Sequence, residues 1–280
     1  MGGFKKVLIG CGVLAGIVVA GFVGDVAWYF HSLGPGSQPD VLKAARSAPT
    51  QAADQAVTAQ VDAKIGQLRA ALPWAAYLGT AVADVCSTEV PPIAFVGVKE
   101  SWVPVTCTRT DTVYEAFDGD FRQHLVQLDG ALGQAGWVSQ DIAFPHRQGE
   151  PVGLITSYDY DHTPPRDADP SQVATAAAFP NVVRMPYTVP VTRDFTPTAV
   201  GHEPTNRYPT GGTVEVSQAP HLPTLDGGQF AHDQMLKNPS DTTTYYRAWQ
   251  PYTPAQVAAA YPAHGAVIAI ALSVSYGTGG

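Results

Sequence analysis

The chain has 280 residues, with 16 basic and 24 acidic side chains and a formal net charge of −8. That balance, with no basic run beyond the first few residues, argues against nucleic acid as a partner. Setting aside an apolar N-terminus leaves about 245 residues, enough for one large domain or two small ones.

Lys5 and Lys6 precede an uncharged run over 7–24, and Trp28, Tyr29 and Phe30 follow Asp25. A run of about 18 uncharged residues predicts a spanning helix, and the aromatic trio falls where an interfacial belt belongs. The next basic residue is Lys43. The positive-inside rule therefore predicts a cytoplasmic tip at 1–6, an anchor at 7–30, a linker at 31–40 and an extracytoplasmic domain at 41–280. A signal peptide cleaved after Val18-Val19-Ala20 is the rival reading, but the apolar run continues through Phe22 and Val23. Leu8-Ile9-Gly10-Cys11 resembles a lipobox, yet it stands too close to the lysines to leave room for a signal's apolar region. All three readings put the bulk of the chain outside. Gly12, Gly16, Ala20 and Gly24 form one small-residue stripe, the geometry that lets membrane helices approach closely. The expected partners are the lipid bilayer and, through that stripe, a membrane protein or a second copy.

Val57, Val61, Ile65, Leu68 and Leu72 recur at helical spacing before Pro73, predicting a helix that packs on the domain. Strands are expected at 93–98 and 102–117. Asp118-Gly119-Asp120 supplies a turn and an N-cap, Phe121, Leu125, Leu128 and Leu132 a helix face, and Gly136 its stop. A strand is expected at 153–160. Residues 161–240, dense in proline, threonine and aspartate, read as an irregular insertion with short strands at 182–191 and 213–217. A strand at 242–249 follows. Thr253-Pro254-Ala255-Gln256 is a helix start, and the closing strand is 267–276. The fold class is α+β, a mostly antiparallel sheet covered by helices.

An internal duplication is also expected. Thr112, Tyr114, Ala116 and Phe117 match Thr244, Tyr246, Ala248 and Trp249, and the segments ending at Tyr158 and Tyr276 are alike. Two β-α-β units sharing one sheet would make Tyr114 equivalent to Tyr246 and Ser157 to Ser275. Residues 267–272, apolar at nearly every position, should form a central strand.

Cys11 falls in the anchor, leaving Cys86 and Cys107 as the pair outside. In an oxidising compartment an isolated pair predicts a disulfide. The nucleophile alternative for Cys107 lacks an upstream histidine other than His31, at the membrane boundary.

Val105-Thr106-Cys107-Thr108-Arg109-Thr110, Tyr114, Phe117-Asp118-Gly119-Asp120-Phe121, Leu125, Leu128-Asp129, Ala131-Leu132 and Ala135-Gly136-Trp137 resemble membrane-anchored or secreted actinobacterial proteins of unknown function. The resemblance spans roughly 86–137. It implies a cell-envelope location and a paired-cysteine domain, and no activity.

Asp159, Asp161, Asp167 and Asp169, with His162, form the densest acidic cluster and the candidate set for a Ca²⁺ site. The spacing lacks the glycine and terminal glutamate of an EF-hand loop, and prolines interrupt it, which favours a solvated acidic loop. His202-Glu203, His221 and His232-Asp233 lack zinc-helix or serine-hydrolase spacing. Trp102, Trp137, Trp249, Tyr245, Tyr246, Tyr252 and Tyr261 could line a groove, although most such aromatics are core residues. No cofactor motif is present. The expected function is a binding or assembly module of the bacterial cell envelope, with an accessory subunit of a membrane complex as its expected form. The alternative is an envelope hydrolase or metal-dependent enzyme whose His202, Glu203, His221, His232 and Asp233 gather in one pocket.

Overall fold

The structure is a computed structural model that describes residues 37–89, 102–139, 153–162, 182–191, 211–219, 221–223 and 242–277. The predicted anchor, with Gly12, Gly16, Ala20 and Gly24, lies outside them, as does the strand expected at 93–98. Among the described residues no helix is long and apolar enough to cross a membrane.

The elements run α1 (Val41–Ala45), α2 (Ala48–Ala70), β1 (Ala76–Glu89), β2 (Thr106–Phe117), α3 (Phe121–Gln134), β3 (Val138–Ser139), α4 (Leu154–His162), β4 (Val182–Thr188), β5 (Gly211–Gln218), β6 (Thr242–Gln250), α5 (Pro254–Ala258) and β7 (Ala266–Gly277). The strands form one sheet in the order β3-β4-β5-β7-β2-β1-β6, each neighbouring pair antiparallel. The chain is therefore α+β, built on an antiparallel sheet.

The two long helices start and stop where side chains supply the missing backbone partners. Ser47 caps α2 by accepting from the Thr50 N–H, and Val57, Val61, Ile65 and Leu68 turn inward, so the helix packs on the sheet as its stripe predicts. Asp120 caps α3 through the Gln123 N–H at 2.7 Å. At its other end Trp137 N–H donates to the Leu132 carbonyl and Gly136 N–H to that of Gly133, a Schellman closure. The closure needs the left-handed φ of 77° that Gly136 supplies. Thr253 and Gln256 complete the capping box expected for α5.

α1, α2, α3 and α4 pack on one face of the sheet, against Val113, Phe117, Val214, Val216, Ile268, Ile270, Leu272 and Val274. The other face carries a smaller cluster of Ala81, Tyr114, Ala116, Val267, Ala269 and Ala271 under Val257 and Ala260. β7 is the fourth of seven strands, and residues 266–272 are buried without interruption. A strand covered on both faces has to be apolar on both, which is what 267–272 encode.

Three expectations need correction. Residues 154–162 form a helix, not a strand. Nine residues carry too few turns to declare a period, and tertiary capping decides. Asp129 on α3 accepts from the N–H groups of Leu154 and Ile155, both at 2.9 Å. A Cβ on Gly153 would fall 2.5 Å from that carboxylate, so glycine is what admits the cap.

The duplication also fails. Its first copy ends in this helix, which places Ser157 on α4 and Ser275 on β7. α3 and α5 belong to clusters on opposite faces. Tyr114 stands opposite Gly79 of β1, whereas Tyr246 stands opposite Val85, so the two tyrosines are not equivalent. The likeness came from threonine and tyrosine recurring in strands, as their β-propensity makes common. Finally, β1 occupies Ala76–Glu89, ahead of 93–98, the first strand expected from the sequence. Its first half, Ala-Tyr-Leu-Gly-Thr-Ala-Val, carries no two-residue apolar alternation to announce it.

Candidate functional site

Between α2 and the sheet the core is not wholly apolar. Asp84 on β1 and Asp111 and Glu115 on β2 are only 1%, 3% and 2% exposed. They share the covered face with the Cys86–Cys107 pair and Val113, because alternate strand residues point the same way. Each of these three carboxyls lies beside an arginine. Arg69 of α2 meets Glu115 at 2.9 Å and lies over the Tyr77 ring, 4.1 Å from its centroid. Arg109 meets Asp111 at 3.0 Å. Burial pushes the carboxyls of Asp111 and Glu115 upward, with Arg109 and Arg69 opposing.

The third group is the densest. Arg247 of β6 reaches Asp54 of α2 at 2.9 Å and Asp84 at 3.4 Å, and donates to the Ala45 carbonyl that ends α1. Tyr276 of β7 donates its hydroxyl to Asp84 Oδ1 at 2.6 Å. Four elements thus meet at one guanidinium that faces two carboxylates. Burial pushes the Asp84 carboxyl up to about 7; the Tyr276 hydroxyl works against this and the neighbouring Asp54 adds to it. The Tyr276 phenol is raised in turn by burial and by Asp84. Among the described residues, Asp54 Oδ1, Asp84 Oδ2, Asp111 Oδ1 and Glu115 Oε2 accept no well-aligned hydrogen bond, although Arg247 and Arg109 contact the second and third as ion pairs. Chemically this is a store for a proton near neutral pH, sealed beneath a helix. The cysteine nearest in sequence, Cys86, is disulfide-bonded to Cys107.

That disulfide is the expected one. Cys86 and Cys107 stand directly opposite on β1 and β2, with Cα atoms 3.9 Å apart. The candidate metal set is not assembled. Asp159 lies on α4 and is clamped by Arg122, at 2.9 Å from Nε and 2.6 Å from Nη2. The Asp161 side chain and residues Asp167 and Asp169 lie outside the described residues. Among the described residues no three histidine, cysteine, aspartate or glutamate side chains are placed to share a metal ion. Of the five residues proposed for an enzymatic pocket only His221 is described; its carbonyl accepts from the Tyr261 hydroxyl at 2.7 Å. His264 instead bonds Asp118 at 3.0 Å, and Asp118 also accepts from the Gly265 N–H, a clasp between the end of β2 and the start of β7. That clasp holds the Asp118 carboxyl below its usual range, His264 contributing most.

The aromatics divide as their type suggests. Trp137 is buried edge-on to Tyr187, and Tyr252 stacks on Tyr114 with ring centroids 5.0 Å apart. Trp102, Trp249, Tyr245 and Tyr261 are half-buried. Sequence reasoning gave no role to Asp54, Asp84, Arg109, Asp111 or Arg247. The usable signal was alternation: Cys107, Arg109, Asp111 and Val113 share one face, so a disulfide inside the core carries two charged residues with it.

No protein-family model matches the chain, and neither a curated protein nor a solved structure matches it.

Proposed function

We propose that the chain is a membrane-anchored extracytoplasmic binding or assembly module of a bacterial cell envelope, held by one N-terminal span. The Cys86–Cys107 disulfide carries this reading, since isolated structural disulfides belong to oxidising compartments. Support also comes from how the reactive groups are used. Cys107 is consumed by Cys86, Asp159 by Arg122, and Asp84 is closed beneath α2. The stripe of Gly12, Gly16, Ala20 and Gly24 is the surface through which a membrane partner or a second copy joins the anchor.

Protease shaving of intact cells tests the topology: peptides from 41–280 disappear while the N-terminal tip survives. Protection of the whole chain would reverse it. The mass of the complex in mild detergent tests the partner. Gly16→Ile lowers that mass if the stripe is the contact, and an unchanged mass removes the stripe from the reading.

A further inference from the structure

α1 and the first half of α2 follow the linker and lie over the β1–β6 end of the sheet. The apolar attachment of 41–56 is small: Val41 and Ala45 are buried and Ala44 and Ala53 partly so, against the buried Val57, Val61, Ile65 and Leu68 further along. Their polar attachment is Arg247, which holds both Ala45 and Asp54. Arg46 adds a weaker contact to the Tyr245 hydroxyl at 3.4 Å.

We propose that Asp54, Asp84 and Arg247 form a proton-operated latch, which holds residues 41–56 against the sheet in acid and loosens them above neutral pH. The inference is independent of what the domain binds. One guanidinium balances one carboxylate. A proton on Asp84 leaves the ion pair Arg247–Asp54 and a neutral acid that accepts from Tyr276. When that proton leaves, two carboxylates face one cation, and Asp84 itself is closed off from water. A buried, uncompensated charge costs several kcal/mol in general.

Among the described residues, Asp84 has no second cation beside Arg247. Arg109, opposite it on β2, is engaged by Asp111. Asp62 of α2 and Asp111 add negative charge in the same region. Arg69 is held by Glu115 at the far end of α2, and Tyr276 on β7 stays a neutral phenol, since its titration is pushed upward. The cheapest relief is to let water reach the carboxylates by lifting the segment that carries Asp54. The C-terminal half of α2, buried at Ile65 and Leu68, stays in place.

Hydrogen exchange on the full chain, corrected for the intrinsic rate at each pH, tests the latch. Protection of 41–56 is expected to fall at least tenfold between pH 5.5 and pH 8.5, while β7 keeps its protection over the same range. Asp84→Asn, which cannot lose a proton, should hold 41–56 protected at both pH values. Asp54→Asn, which removes the opposing charge, should do the same and serves if the first variant does not fold. Equal protection of 41–56 at both pH values in the native chain overturns the proposal. So does a fall that β7 shares, which is global loosening, or a fall that persists in a folded variant.

Discussion

Asp84 stores a proton because its environment was built for a neutral group. Its folded form titrates near 7, far above an ordinary aspartate, and the sign of the resulting pH dependence is fixed. Between the unfolded and the folded pKa the native state holds a proton that the unfolded state has released. Stability is therefore greatest in acid and is lost as pH rises through about 7. Asp111 and Glu115 are raised as well and act with the same sign. Asp118 is lowered and acts with the opposite sign, but it is exposed at the surface and acts weakly. The melting temperature should thus decline from pH 5 to pH 8, by the equivalent of a few kcal/mol. Asp84→Asn should flatten much of that decline. A melting temperature that rises or stays level over this range in the native chain would contradict the buried-acid account.

At the scale of elements, α4 is held by a side chain from another helix. Asp129 caps it at Leu154 and Ile155 and also accepts from the Tyr187 hydroxyl at 3.3 Å. Burial, then Asp129, pushes the Tyr187 phenol upward, so it stays protonated and donates to Asp129. Asp129→Ala removes the cap and orphans that buried hydroxyl, for an expected loss of about 2–4 kcal/mol in urea unfolding. Asp129→Asn, which keeps an acceptor oxygen, should lose less. A loss below about 1 kcal/mol for the alanine variant would show that α4 forms without its cap. The same contact explains what could be read from the sequence. α2 and α3 announce themselves through Val57 to Leu68 and Phe121 to Leu132, and α5 through its capping box, because those signals are local. β7 declares its central place by being apolar on both faces. α4 does not, since its cap lies 25 residues away at Asp129. β1 hides because its first half lacks a two-residue apolar alternation. The buried acids were illegible for a related reason: a charged residue reads as exposed until the register with the neighbouring strand is known.

For the whole molecule, the disulfide joins β1 and β2, which lie on one side of β7, while β5, β4 and β3 lie on the other. Closing a loop of 21 residues removes unfolded conformations worth about 3 kcal/mol by the chain-entropy account. Replacing both cysteines by alanine should lower the unfolding free energy by that order while leaving the sheet intact by circular dichroism. A double variant as stable as the native chain would show that the bridge constrains nothing the sheet does not already fix. The strand order has a consequence in time. The strand that joins the two flanks of the sheet follows the other six along the chain, and Ala266 to Gly277 pairs with β2 on one side and β5 on the other. A chain emerging N-terminus first can form the β1–β2 hairpin and oxidise it early. It cannot close its sheet until β7 arrives. Until then β2 and β5 expose long unpaired edges, which is the condition under which chains misassociate. Contacts of such long sequence separation also form slowly. The nascent protein therefore spends its synthesis as an incomplete sheet whose closing strand comes last.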